Sequence, residues 1–251
     1  MKIIQITDMH VGREGEDTFG IDVRANFLNI LQAVAEKKPD YLVLSGDLCY
    51  NQADPLIYAW VKEQVDQLNI PYEVIPGNHD ESTLLANAFG YDNDLVDGQM
   101  YYTREWGGQT ILFMDSCPNE VGATQLDWLE KKLQTLQTPL ILFIHHPPVL
   151  ADVPFMDRHH PLENPNRLRQ LLADYPQSID IFCGHYHVDK FVHWGKNMIY
   201  LTPSGYFQIN QTLETFQVDH ERVGFREIHV EDGSLITSVS YLEGTKIQKE
   251  N

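Results

Sequence analysis

IFCGHYH, residues 181–187, is an apolar run that ends on a glycine and two histidines one residue apart. Successive residues of a strand point to opposite faces. A chain that turns off the strand at Gly184 aims both imidazoles into one cleft. Taken alone, the pair reads equally well as two ordinary loop histidines. What decides is whether other strands end the same way.

Four of them do. KIIQITD (2–8) runs into Asp8-Met9-His10, YLVLSGD (41–47) ends on Gly46-Asp47, YEVIPGNHD (72–80) carries Asn78 and His79, and LILFIHH (140–146) ends on His145-His146. Helical spacing separates these runs. Residues 21–38 carry Ile21, Phe27, Leu28, Leu31 and Val34 and stop at Pro39. Residues 55–69 open with Asp54 before Pro55, a cap followed by a helix-starting proline. Residues 124–136 place Leu126, Leu129 and Leu133 on one side, and 166–175 follow Asn164-Pro165. ILFMDS (111–116) is a further strand, and the apolar 140–146 run predicts burial on both faces. Strands alternating with helices predict an α/β fold. The Pro-, His- and Asn-rich stretch 147–166 reads as a long loop of functional character. From about 197 to 243 the pattern changes to short alternating strands, with a hairpin turn at Asp232-Gly233. No repeat or linker divides the chain, so residues 1–251 read as one domain with a β-rich C-terminal part.

Composition narrows the function. The 251 residues hold 36 acidic against 18 basic side chains, a formal net charge of -18. Such a surface repels nucleic-acid phosphate and anionic lipid, and no Lys/Arg cluster interrupts it. Nucleic-acid and membrane partners are therefore not expected. The three cysteines, Cys49, Cys117 and Cys183, are odd in number and widely spaced. They read as reduced thiols in the cytoplasm. The N-terminus lacks the apolar core of a signal peptide, and no stretch reaches about 18 apolar residues.

In open α/β sheets, ligands bind beyond the carboxyl ends of the strands. That gathers the five strand ends into one crevice. Carboxylate, imidazole and amide oxygen, without thiolate, suit Mn, Fe, Zn or Co. Two such ions need a bridging carboxylate and roughly three further ligands each. Asp8, His10 and His187 suffice for one ion and Asn78, His145 and His185 for the other, with Asp47 bridging. His79 is left over beside Asn78 as a proton donor. The blander readings are that Asp8 and Asp47 cap helices and that Asn78 is a turn residue. Asp80 is expected to orient an imidazole, and Asp115 to be structural. His159 and His160 are expected at most to line the cleft. Tyr206 and Phe207 read either as core aromatics or as a platform for a nucleobase.

DMH, GD, GNHD, HH and GHYH, in that order, resemble the calcineurin-like metallophosphoesterases. ITDMHVG, HHPP (145–148), TPSGYFQ (202–208) and GFREIHVEDGSL (224–235) extend the resemblance to the bacterial class III cyclic-nucleotide phosphodiesterases. The resemblance implies a four-layer αββα sandwich of two mixed sheets. It implies two metal ions, iron and manganese first, zinc or cobalt otherwise. Asp8, His10, Asp47 and His187 would bind one ion, and Asp47, Asn78, His145 and His185 the other. His79 would contact the phosphate and the leaving oxygen, next to Asn78 in the catalytic centre. His146 is the weaker of the two adjacent histidines. GDLCYNQAD lacks the arginine that marks protein serine/threonine phosphatases.

The reading that follows is hydrolysis of 3′,5′-cyclic AMP to 5′-AMP by in-line attack of a metal-bridging hydroxide. The alternatives are a glycerophosphodiester or broad-specificity phosphodiesterase, a nuclease, a lipid-sugar pyrophosphatase and a non-catalytic scaffold. The charge of -18 argues against the nuclease, and the missing basic amphipathic surface against the pyrophosphatase. The complete ligand set argues against the scaffold. The partner is a small cAMP-like phosphodiester, and the resemblance admits a homodimer, for which no apolar stripe marks an interface.

Overall fold

Each strand run and helical repeat read above becomes an element of a computed structural model that describes residues 1–247. The first half runs β1 (Lys2–Ile6), α1 (Val23–Lys37), β2 (Tyr41–Ser45), α2 (Pro55–Asp66), β3 (Tyr72–Ile75), α3 (Ser82–Phe89), β4 (Leu95–Val96), β5 (Gln99–Met100), β6 (Tyr102–Trp106) and β7 (Gln109–Met114). The second half runs α4 (Ala123–Thr135), β8 (Leu140–Ile144), α5 (Pro154–His159), α6 (Asn166–Asp174), β9 (Ile179–Cys183), β10 (Lys190–Trp194), β11 (Asn197–Leu201), β12 (Gln208–Ile209), β13 (Val218–His220), β14 (Val223–Glu231) and β15 (Ser234–Leu242). Local chemistry sets several boundaries. The Asp22 side chain accepts the Ala25 N–H at the start of α1, and Asp54 accepts the Leu56 N–H ahead of Pro55 in α2.

Two mixed sheets carry the fold. One has the order β15-β14-β1-β2-β3 and the other β10-β11-β9-β8-β7-β6. β1, β2 and β3 are parallel, as are β7, β8, β9 and β11, while β14, β15, β6 and β10 pair antiparallel at the flanks. Side-chain alternation then separates two cores. Phe113, Phe143 and Phe182 join the residues of the first sheet and of α1, α2 and α3. Their strand neighbours Leu112, Leu142 and Ile181 join Leu126 and Leu129 of α4 and Leu168 and Leu172 of α6. Helix, sheet, sheet and helix therefore stack in four layers, as the resemblance implies.

A row of rings crosses the second sheet on its inner face. Tyr102, Phe113, Phe143, Phe182 and Tyr200 are directly opposed on adjacent strands, with centroids 4.8, 5.4, 5.3 and 4.8 Å apart. Such cross-strand pairs fix the register, because a one-residue slip would turn every ring to the helical face.

The β-rich C-terminal stretch is not a separate layer. β11 and β10 extend the second sheet, and β14 and β15 extend the first, closed by Asp232-Gly233 with φ of 49° and 76°. Both residues in the left-handed region mark the hairpin turn that matches strand twist. The stretch 147–166 is not all loop. α5 lies within it, started by Pro154 and held by Asp157, whose carboxylate accepts the Ala151 and Val153 N–H groups. No helix among the described residues is long and apolar enough to cross a membrane.

A metal-competent cluster at the strand ends

Five parallel strands end side by side. Asp8 and His10 follow β1, Asp47 follows β2, Asn78 and His79 follow β3, His145 follows β8, and His185 and His187 follow β9. The strand pairing continues past the strands, with Asp8 N–H donating to Gly46 O and His10 N–H to Asp47 O, both at 3.0 Å. The backbone then leaves strand geometry. Asp8, His10, Asp47, His185 and His187 all have positive φ, between 45° and 66°. Aspartate and histidine are among the residues that tolerate this region, at a cost that clusters at functional sites. The two left-handed residues at 185 and 187 bring both imidazoles of GHYH into one cleft.

Two glycines are required by crowding. Gly46 has φ of 102°, and a Cβ there would collide with the His145 ring and the Gly77 backbone nitrogen. A Cβ on Gly184 would collide with the Thr7 hydroxyl and the Asp8 carboxylate.

The side chains form three overlapping groups: Asp8, His10 and His187; His10, Asp47 and His79; and Asp47, His145 and His185. Within each, the donor atoms lie within 4.8 Å of one another. Nε2 of His187 lies 3.3 Å from Asp8 and 3.1 Å from Nε2 of His10. Nε2 of His145 lies 3.4 Å from Asp47. Backbone carbonyls set the tautomers. Nδ1 of His145 faces Ser45 O at 2.9 Å, Nδ1 of His187 faces Phe207 O at 3.0 Å, and Nε2 of His185 faces His160 O at 2.9 Å. A carbonyl only accepts, so each of these nitrogens carries the proton, and the other ring nitrogen offers its lone pair. Asn78 Oδ1 and His145 Nε2 are buried with no hydrogen-bond partner. A buried acceptor without a donor is costly unless something else satisfies it.

Charge is arranged for cations. Burial pushes the Asp8 carboxyl up, but His187 and His145 outweigh it and bring it down to about 2. Burial likewise opposes ionisation of Asp47, yet His145 and His10 hold it well below the carboxylate range. Burial pulls His145 down, and Asp47 and Asp8 reverse this and carry it up to about 9. His10 and His185 are lowered to about 3, chiefly by burial. At neutral pH the cluster thus presents two carboxylates and neutral imidazoles at His10 and His185, the forms that ligate metals, while His145 holds a second proton on Nε2 that a bound cation would displace.

One expectation needs revision here. Asp80 does not orient an imidazole. Its carboxylate accepts the Gly77, Leu48 and Cys49 N–H groups and the Tyr58 hydroxyl, so it ties the loop after β3 to the loop after β2. Burial and the charge of Asp47 push it up to about 6. Asp115 is structural: it accepts from the Ser82 hydroxyl and from the Met100 and Cys117 N–H groups. His146 lies outside the three groups and meets the Ser116 hydroxyl at 2.8 Å. His160, but not His159, lines the cleft. Tyr206 and Phe207 are buried and also line it. Sequence reasoning did not find the rest of the lining, notably Phe19, Phe155 and Phe216.

The sequence profile of calcineurin-like phosphoesterases matches residues 1–189. The chain belongs to that family. A probable cyclic nucleotide phosphodiesterase of Fibrobacter succinogenes is 32% identical over 241 residues, covering 96% of this chain and 94% of the relative. The 3′,5′-cyclic adenosine monophosphate phosphodiesterase of Haemophilus influenzae is 26% identical, over 97% and 90%. A probable glycerophosphodiester phosphodiesterase of Arcobacter nitrofigilis is 29% identical, over 83% and 80%. Among solved structures, a dimetal phosphatase of Danio rerio superposes with a TM-score of 0.72 at 13% identity, covering 98% of both chains. This calcineurin-like phosphoesterase thus has the fold of a dimetal enzyme and clustered candidate ligands for the family's dinuclear centre. The expectation of a metal-dependent phosphodiester hydrolase stands.

Proposed function

We propose that the chain hydrolyses 3′,5′-cyclic AMP to 5′-AMP. The observation that carries the metal chemistry is the convergence of seven carboxylate and imidazole donors, those of Asp8, His10, Asp47, His79, His145, His185 and His187, with the unpartnered Oδ1 of Asn78 lining the same cleft. This donor set fits two borderline ions, iron and manganese first. Asp8, His10, Asp47 and His187 would hold one, and Asp47, Asn78, His145 and His185 the other. When bound, the ions supply Lewis-acid polarisation of the phosphoryl oxygens and acidify a water molecule for attack.

The chain's own residues do the rest. Asp47 accepts the His79 backbone N–H at 2.9 Å and so fixes the loop that carries the histidine. The His79 imidazole passes its proton to the 3′ oxygen as the P–O3′ bond breaks. Asn78, next to it, would tie the same loop to the metal centre through its unpartnered Oδ1. Similarity along nearly the whole chain to relatives named cyclic nucleotide phosphodiesterases supports the substrate. The free thiols Cys49, Cys117 and Cys183 support a reducing cytoplasm.

Glycerophosphodiesters are the second reading, favoured by the Arcobacter nitrofigilis relative. A turnover assay of Mn-loaded protein separates the two. Catalytic efficiency is expected to be highest for 3′,5′-cAMP among 3′,5′-cAMP, 2′,3′-cAMP, p-nitrophenyl phosphate and glycerophosphoethanolamine. Higher efficiency on glycerophosphoethanolamine would transfer the assignment to that substrate.

A further inference from the structure

Beyond the candidate metal ligands, the cleft of about 310 Å³ is walled by phenyl rings. Its size lies at the small end of the range for small-molecule sites. Phe155 on α5 meets Phe216 with ring centroids 5.6 Å apart, and Phe216 meets Phe207 at 5.9 Å. Phe207 in turn lies 5.2 Å from the ring of His187. The row therefore starts beside the metal-competent cluster and runs out to solvent, where Phe216 is 50% exposed. Phe19 lines the same cleft and is 76% exposed. It holds a φ of 55°, a conformation that bulky side chains avoid. Core packing explains neither exposure.

The wall has a further property. None of the described residues lining the cleft is Lys or Arg. Among the polar groups near the rings, the Tyr206 hydroxyl donates to Thr18 O at 3.1 Å and the Asn51 amide donates to Glu16 at 3.4 Å, while Tyr50 and His160 also line the cleft. A phenyl ring offers a face for stacking but no donor or acceptor to read the edge of a base. Base-on-ring stacking is for this reason tolerant of base identity. A glycerol or ethanolamine head laid against the same rings would give up water without a replacement partner.

We propose that Phe155, Phe207 and Phe216, with Phe19 at the rim, form an aromatic clamp for the non-phosphate half of the substrate. The clamp selects phosphodiesters that carry an aromatic substituent and does not discriminate between nucleobases. This rests on the phosphodiesterase reading of the strand-end cluster and adds the substrate class.

The test uses Mn-loaded full-length protein and two variants at exposed rings, Phe216→Ala and Phe19→Ala, whose fold is checked by thermal melting. KM and kcat are measured on 3′,5′-cAMP, 3′,5′-cGMP, bis(p-nitrophenyl) phosphate and glycerophosphoethanolamine. Affinity for a hydrolysis-resistant phosphorothioate of cAMP is measured by calorimetry. Phe216→Ala is expected to raise KM for the three aromatic diesters roughly 5- to 140-fold, from the worth of one stacking contact. Affinity for the phosphorothioate should fall in parallel, kcat should hold, and Phe216→Trp should restore both. Glycerophosphoethanolamine parameters should not move, and wild-type efficiencies for cAMP and cGMP should be similar. An unchanged KM for aryl diesters, or an equal rise for glycerophosphoethanolamine, overturns the clamp. A strong preference between cAMP and cGMP overturns its indifference to the base. If wild-type protein cleaves bis(p-nitrophenyl) phosphate but neither cyclic nucleotide, the cyclic-AMP reading fails. The clamp is then decided by the aryl diester against the alkyl one.

Discussion

Asp47→Ala is expected to lower kcat/KM by about 10³-fold or more and to leave the protein unable to retain two metal ions. The reason lies in how many groups this carboxylate serves. Its Oδ2 lies 3.6 Å from His10 and 3.4 Å from His145, so it belongs to two of the three donor groups. Its Oδ1 holds the His79 backbone N–H. One substitution therefore removes the proposed shared ligand, uncovers two histidines and frees the loop that carries the proposed proton donor. Metal content by elemental analysis and turnover on the same sample measure both effects. Wild-type metal content in an inactive variant would assign Asp47 a role in the reaction other than holding the ions. Full activity would remove it from the site.

His79→Ala is expected to behave differently. The side chain is half-buried, and its Nδ1 has no hydrogen-bond partner among the described residues. Its ring packs edge-on against that of His10 at 4.8 Å, which places it at the cleft beside the donor cluster. Loss of a positioned general acid costs about 10²- to 10⁴-fold in rate. The variant should keep wild-type metal content and lose kcat by that factor. The loss should be smaller for a substrate whose leaving group needs no proton, such as bis(p-nitrophenyl) phosphate. An equal loss on both substrates would point to phosphate binding instead of proton donation, and full turnover would remove His79 from the mechanism.

These two candidates stand out in the sequence because each follows a strand, and strand ends are where an α/β sheet collects its ligands. The eight residues singled out from the sequence lie on loops separated by up to 179 positions, from Asp8 to His187, and the parallel order of β1, β2 and β3, and of β8 and β9, brings them together. What the sequence hid was contact between elements. Asp80 sits next to His79, which suggested an imidazole partner, whereas the fold delivers the Leu48 and Cys49 N–H groups and Tyr58. α5 is only six residues long, too short for helical periodicity to register, and is held by the distant Tyr186 hydroxyl on Asp157 at 2.8 Å. β10 was missed although Lys190 to Trp194 pairs with β11 across a turn at Gly195. Its alternation is brief and carries a histidine and a lysine. Phe19 and Phe216 are lone aromatics in polar loops, and no local pattern tells such a residue from a chance exposed one. Only the cleft assigns them a place.

Fold likeness alone does not decide catalysis. The case for chemistry rests on the donor cluster. It is tested most directly by anomalous scattering from crystals of Mn-loaded protein. Two peaks are expected about 3.5–4 Å apart, one against Asp8, His10 and His187 and the other against Asn78, His145 and His185, with Asp47 touching both. A single peak, or peaks away from these side chains, would contradict a dinuclear centre at the strand ends.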